Sequence, residues 1–249
     1  MRRERDSFPA EAGIAGLTER YALSERANQQ LLSLLQMLVD DPSAPTAVRD
    51  PTKAIDDHFA DSLVALDLGQ VRSARAIADL GAGAGLPGLP LAIALAQSSV
   101  ALIESASRKC EFIQRAVAEC RLTNAEVVNA RAEAWPDGLG RFDLVTARAL
   151  ARLEVVAEYA APLLRVGGTL VAWRGRRDAD AEAAAARAAV RLGLEPGDVR
   201  PVRPYPGARH RHLHLMSKVM DTPAGFPRRA GMAIKRPLGA PRASDRPRR

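Results

Sequence analysis

The chain has 249 residues, 47% of them hydrophobic and 4% aromatic, which suits one sizeable domain with appendages. No run of about 18 apolar residues exists, which excludes a membrane-spanning helix of the usual kind. No apolar signal core follows the charged start Met1-Arg2-Arg3-Glu4-Arg5-Asp6, so a cytoplasmic protein is expected.

The net charge of +7 is unevenly placed. Nine Lys or Arg and two Asp lie from Lys218 onward, whereas residues 1–217 carry 27 side chains of each sign. The surplus is therefore a C-terminal feature. A basic terminus of this kind either seeks an anionic polymer or stays solvated.

In chain order, residues 16–39 read as a helix, with Leu31, Leu34, Leu35 and Leu38 forming one apolar stripe. Three prolines in "DDPSAPTAVRDPT" (40–52) end it, and a second helix is expected over 56–68. Strand and helix then alternate. Strands are expected at 74–80, 99–104, 125–130, 142–147, 169–173 and 212–218. Helices are expected at 88–96, 107–120, 153–164 and 178–193. Such a series implies a mostly parallel sheet with helices on both faces. Prolines and arginines rise after Lys218, and 219–249 reads as mostly irregular.

Cys110 and Cys120 fall ten residues apart in one expected helix. That places them about 15 Å apart along its axis. A disulfide needs Cα atoms within about 7 Å, so two reduced, buried thiols are expected.

The chemistry-bearing stretch is "ADLGAGAGLPGLP" (78–90), between a strand and a helix. Two frames overlap in it. Gly83, Gly85 and Gly88 make GxGxxG, the dinucleotide fingerprint; Gly81, Gly83 and Gly85 make GxGxG behind Asp79. Glu104 ends the next strand, where a carboxylate can accept hydrogen bonds from two ribose hydroxyls. NAD and S-adenosyl-L-methionine (AdoMet) both carry such a ribose, so Glu104 points to an adenosine ligand without choosing. Three features favour AdoMet. Gly81 is the first glycine after the strand, little chain remains for a dehydrogenase's substrate domain, and "PLLRVGGTLVAW" (162–173) resembles a methyltransferase segment. Asp79 is placed to steady the loop or to meet the cofactor's ammonium.

His210, His212 and His214 alternate on an expected strand and would share one face. Zinc ligation is conceivable there, but no Cys or Asp cluster accompanies them and neighbouring arginines oppose a cation. No metal is expected, and a polar or RNA-facing surface is the expected role.

Four segments together bring a family into view: "DLGAGAGLPGLPLAI" (79–93), "LIESASRKCEFI" (102–113), "NARAEAW" (129–135) and "FDLVTARAL" (142–150). With "HFADSL" (58–63) and "RHLHLMSK" (211–218), they resemble the RsmG, or GidB, family over roughly residues 17–238. That family methylates N7 of one guanine, conventionally guanosine 527, in bacterial 16S ribosomal RNA. The resemblance implies a Rossmann-like, AdoMet-dependent methyltransferase domain over 56–218, an N-terminal helical region over 1–55 and a basic tail over 219–249.

It further implies AdoMet contacts at Gly81, Gly83, Leu86, Glu104, Ala132, Glu133 and Arg148, with the adenine near Ala132 and Glu133 and the reacting end near Arg148. His58, Arg131, Arg228 and Arg229 are candidates for RNA contact. The expected partner is 16S ribosomal RNA or a small-subunit particle, with no membrane and no stable protein partner. The chain departs from the family where "DDPSAPT" replaces Asn-Leu-Thr, where Asp57 replaces an arginine before the histidine, and where Arg174-Gly175 replaces Lys-Gly. No catalytic acid or base is expected, because N7 of guanine has a lone pair and no proton to lose. The alternatives at this point are an NAD-binding oxidoreductase and a non-catalytic RNA-binding protein of the same fold.

Overall fold

The computed structural model describes residues 3–239, with side chains from Ala10 onward. Two helices open the chain, α1 (Arg3–Tyr21) and α2 (Glu25–Asp40). The single helix expected over 16–39 is thus two. Ala22 adopts a left-handed backbone at φ 53, and the Ser24 side chain accepts from the Ala27 N–H to restart the helix. With no Gly or Pro at the break, Ser24-Glu25 was the only cue. The leucine stripe of α2 is buried as its spacing requires.

The helix expected over 56–68 is broken into short turns. These are α3 (Pro51–Ala54), a π-helical turn (Ile55–Ala60), α4 (Asp61–Leu63) and a 3₁₀ turn (Val64–Asp67), followed by α5 (Gly69–Arg72). Apart from β6, the remainder alternates as expected: β1 (Ala76–Leu80), α6 (Gly88–Ala94), β2 (Ser99–Glu104), α7 (Ser107–Glu119), β3 (Ala125–Asn129), β4 (Phe142–Arg148), α8 (Leu153–Ala160), β5 (Leu164–Arg174), α9 (Ala179–Arg191), β6 (Leu194–Pro201) and β7 (His212–Lys218). A short α10 (Met232–Lys235) follows.

The seven strands form one sheet in the order β3-β2-β1-β4-β5-β7-β6. β1 to β5 are parallel, and β7 runs antiparallel to both β5 and β6. β1 lies near the middle with four consecutive residues buried, the pattern of a strand covered on both faces. The chain winds outward through β2 and β3, then returns to β4 on the other side of β1. That reversal opens a crevice at the carboxyl ends of β1 and β4, where ligands of open α/β sheets bind.

Each sheet face carries an apolar layer. Ile77, Leu144, Val171, Leu213 and Leu215 face α1 to α6. Leu80, Val145, Leu170 and Met216 face α8 and α9. β6 was not expected: Pro196 and Gly197 disguise it, and most of it is exposed. It lies at the sheet edge, where a proline without an N–H is tolerated.

The described part of the segment after β7 is irregular apart from α10, and it is docked. Ala233 and Leu238 are buried in the layer around α8 and α9. The expected tail beyond Gly239 lies outside the described residues. Cys110 and Cys120 are both free and buried, and burial pushes the Cys120 thiol up to about 12. No helix among the described residues is long and apolar enough to cross a membrane.

Candidate active site

The loop after β1 resolves which glycine frame operates. Gly81, Gly83 and Gly85 all have positive φ, at 66, 60 and 82°. These are the three glycines of the frame behind Asp79. Gly88 has an ordinary backbone and serves by its lack of a side chain. A Cβ there would lie 2.7 Å from Asp79 Oδ2 and closer still to Leu102 Cδ2. It lets α6 pack directly onto β1 and β2. At Gly83, by contrast, a Cβ would meet only Gly81 O, at 3.7 Å. The loop surface there is open, as a ligand cradle requires, and the glycine answers to conformation.

Asp79 is fully buried beneath this loop. Its Oδ2 accepts the Gly88 N–H at 2.9 Å, and its Oδ1 accepts the Thr146 hydroxyl at 2.7 Å. Burial pushes its carboxyl up to about 7, against the pull of those two donors. It pins α6 to the sheet, so of the two expected roles it performs the structural one.

Glu104 stands at the end of β2. One oxygen accepts the Gly83 N–H at 3.1 Å and the other the Ala106 N–H at 2.9 Å. A carboxylate has about four acceptor sites, so two remain for ribose hydroxyls. Lys109 lies 4.0 Å away. Leu86 is buried in the same loop. Ala132 and Glu133 form a 3₁₀ turn after β3. Glu133 Oε1 accepts the Gly231 N–H at 3.0 Å, so the docked C-terminal segment reaches this turn. The open surface at Gly83 and a carboxylate with spare acceptors fit an adenosyl ligand.

A cleft of about 400 Å³ lies across the ends of β4 and β5, lined by His58, Asp61, Arg148, Trp173, Arg174 and Arg211 among others. Arg148 sends Nη1 to Asp61 Oδ2 and to the Asp57 carbonyl, each at 3.0 Å. Arg211 lies 3.4 Å from Asp61 and 3.5 Å from Asp57. Tyr205 donates its hydroxyl to Asp57 at 2.7 Å, and Trp173 Nε1 donates to the Asp61 carbonyl. Asp57, Asp61, Trp173, Tyr205 and Arg211 were not expected as site residues. The signal lay in "HFADSL" and "RHLHLMSK", but nothing local pairs those segments.

His58 sits within the π-helical turn and is 9% exposed. Its Nε2 shares a hydrogen bond with Thr46 Oγ1 at 2.8 Å, while Nδ1 has no partner. Burial, aided by Arg148, holds its pKa below the usual value. The ring is neutral at physiological pH and carries one uncommitted nitrogen.

The remaining expected RNA contacts divide. Arg131 and Arg229 are exposed. Arg228 instead grips Glu158 of α8 through both guanidinium nitrogens, Nε lying 2.6 Å from Oε1. Its charge is spent inside the fold. The three histidines do not form one polar face. His210 precedes the strand with φ 53, and His214 is buried beneath α9, where burial lowers its pKa. His210 is exposed and His212 partly so, with its Nδ1 2.8 Å from the Gly175 carbonyl oxygen.

Strand order and loop together define the class: a Rossmann-like methyltransferase that uses AdoMet. Solved structures share the fold. A SAM-dependent methyltransferase from Aquifex aeolicus matches with a TM-score of 0.53 at 17% identity, covering 67% of this chain and 96% of that one. A SAM-dependent O-methyltransferase from Thermotoga maritima matches at 0.50 and 15%, covering 76% and 72%.

The sequence comparisons are narrower. The family model described as GidB, rRNA small subunit methyltransferase G, matches residues 27–203. Relatives with the name Ribosomal RNA small subunit methyltransferase G include one from Chloroflexus aggregans, 40% identical over 87% of this chain and 92% of its own. Another, from Carboxydothermus hydrogenoformans, is 36% identical over 93% and 97%. The chain belongs to the rRNA small subunit methyltransferase G family. The dinucleotide reading of the loop and the non-catalytic reading of the fold are thereby set aside.

Proposed function

We propose that this protein transfers the methyl group of AdoMet to N7 of guanosine 527 in 16S ribosomal RNA, in the cytoplasm. The observation that carries the reading is a glycine loop with Glu104 beside a cleft lined by Arg148 and His58. Gly81, Gly83, Leu86, Glu104, Ala132 and Glu133 would hold the cofactor, which supplies an electrophilic methyl group when bound. Arg148, fixed by Asp61, would stand at the reacting end.

The chain's own contribution is positioning. N7 has no proton to lose, so no side chain needs to act as a base. Alignment of the two reactants is itself worth effective molarities of about 10⁵ M or more. His58 suits this task. Held by Thr46, its ring forms part of the cleft wall beside the purine, with Nδ1 sealed inside the fold. Arg131 and Arg229 remain exposed for RNA contact.

The test is the modification state of guanosine 527 in RNA from cells with and without the gene, read by mass spectrometry. Loss of one methyl group on deletion is expected; an unchanged nucleotide would refute the assignment.

A further inference from the structure

The basic tail is not the feature best placed to meet RNA at the reaction site. Its docked part lies on the α8 and α9 side of the sheet, through Ala233, Leu238 and the Arg228–Glu158 pair. The cleft opens on the other side, where Trp173 and Leu213 join the layer of α1 to α6.

On that side runs a groove of about 1100 Å³ with Val64, Leu68, Val202 and Leu213 in its lining. Arg20, Arg200, Arg203, Arg209 and Arg211 also line it, against a single acid, Asp67. Asp67 is 3.6 Å from Arg20. Arg203 and Arg209 make no hydrogen bond or ion pair with side-chain nitrogens among the described residues. The groove and the cleft share Val202, Arg211 and His212, so one runs into the other.

The groove is a built surface. Its wall is the β6–β7 connection, closed by the Val202 N–H donating to Arg211 O at 2.9 Å. Arg20 clamps that connection from α1 by donating to the Pro204 carbonyl, also at 2.9 Å. Tyr205 ties it to Asp57 at the cleft.

We propose that this groove is the track for a single-stranded RNA backbone flanking the base that enters the cleft, with Arg203 and Arg209 neutralising its phosphates. The proposal rests on the ribosomal RNA reading above. N7 lies on the major-groove edge of a purine, and the A-form major groove is too deep and narrow for a protein to reach it. The target must therefore be unpaired and turned out of its stack. Among the described residues no Phe, Tyr or Trp lines the groove, so charge rather than base stacking supplies the affinity.

The test is the double variant Arg203→Ala/Arg209→Ala. Its binding to a fluorescein-labelled single-stranded RNA dodecamer is measured by anisotropy between about 50 and 200 mM salt. Each lost phosphate contact flattens the logarithmic salt dependence by about 0.7, so a slope shallower by about 1.4 is expected. Turnover on 16S ribosomal RNA should show KM raised about tenfold, with kcat and AdoMet affinity unchanged, since only uniform binding has been removed. An unchanged slope and KM overturn the proposal. So does a larger loss from Arg229→Ala/Lys235→Ala, which would place the RNA on the tail's side, or equal binding of duplex RNA. If the wild-type protein binds the dodecamer but leaves guanosine 527 unmethylated, the methylation reading fails. The slope then still decides the groove.

Discussion

The glycine loop and the adjoining cleft are built in opposite ways. The loop uses neighbours in sequence: three left-handed glycines, a buried aspartate at the end of β1 and a glutamate at the end of β2, all within residues 79–104. The cleft draws on segments at 57–61, 148, 173–176 and 202–212, joined by ion pairs and hydrogen bonds across long stretches of chain. The course of the loop is therefore set by local backbone geometry and nearby hydrogen bonds. The cleft is rigid only while its charges are balanced. Asp61 is the joint of that balance, since Arg148 and Arg211 both turn to it.

Removing the joint should have the largest effect. Asp61→Ala leaves two arginines without their carboxylate, and breaking a buried pair costs about 3 kcal/mol even after allowing for the partial exposure of Arg211. At roughly 2–4 °C per kcal/mol, Tm should fall by about 6–12 °C in a calorimetric scan. A shift under a degree would mean that the cleft does not depend on this charge. Gly88→Ala should come next, at about 2 kcal/mol, because the added methyl meets Asp79 and Leu102 in a packed layer. AdoMet binding should weaken with it. Wild-type Tm and affinity in that variant would show that the loop can yield, against the contrast drawn here.

A smaller, cleaner effect is expected at Glu104. Glu104→Ala should raise the AdoMet dissociation constant about tenfold, or about 1.4 kcal/mol, by isothermal titration. Equal affinity would remove Glu104 from the ribose site.

The last effect is a dependence on pH. Asp79 releases its proton near 3.8 when unfolded and near 7 when folded. Between those values the native state holds a proton that the unfolded chain has lost. The stabilisation is complete below pH 3.8 and disappears as pH rises through 7. Asp79→Asn has no such proton, so the stability difference between wild type and variant should shift against the wild type from pH 5 to pH 8. A constant difference in chemical denaturation would show that Asp79 stays charged.

Legibility followed the same division. β2 and β7 were placed to the residue, because apolar runs bounded by turns are local signals. The frame of the glycine loop was legible too, since Gly81 directly follows the strand. Elements whose cues conflicted with their fate were not. β6 holds two prolines and a glycine, and is a strand only because β7 pairs with it at the sheet edge. The region over 56–68 has helical spacing yet bends through a π turn and a 3₁₀ turn as it passes the cleft. Arg228 looked like a free cation for RNA, and whether Glu158 would claim it depended on where α8 lay.

By itself, then, the sequence determined the alternation of strands and helices, the glycine frame behind Asp79 and the acid that faces it. Each rests on residues within a few turns of one another. Tertiary structure alone decided which charges are spent and which are free. Arg148 meets Asp61 across 87 residues and Arg228 meets Glu158 across 70, while Arg203 and Arg209 meet no carboxylate among the described residues. Coulomb partners are chosen by distance in space, and only the folded sheet sets those distances.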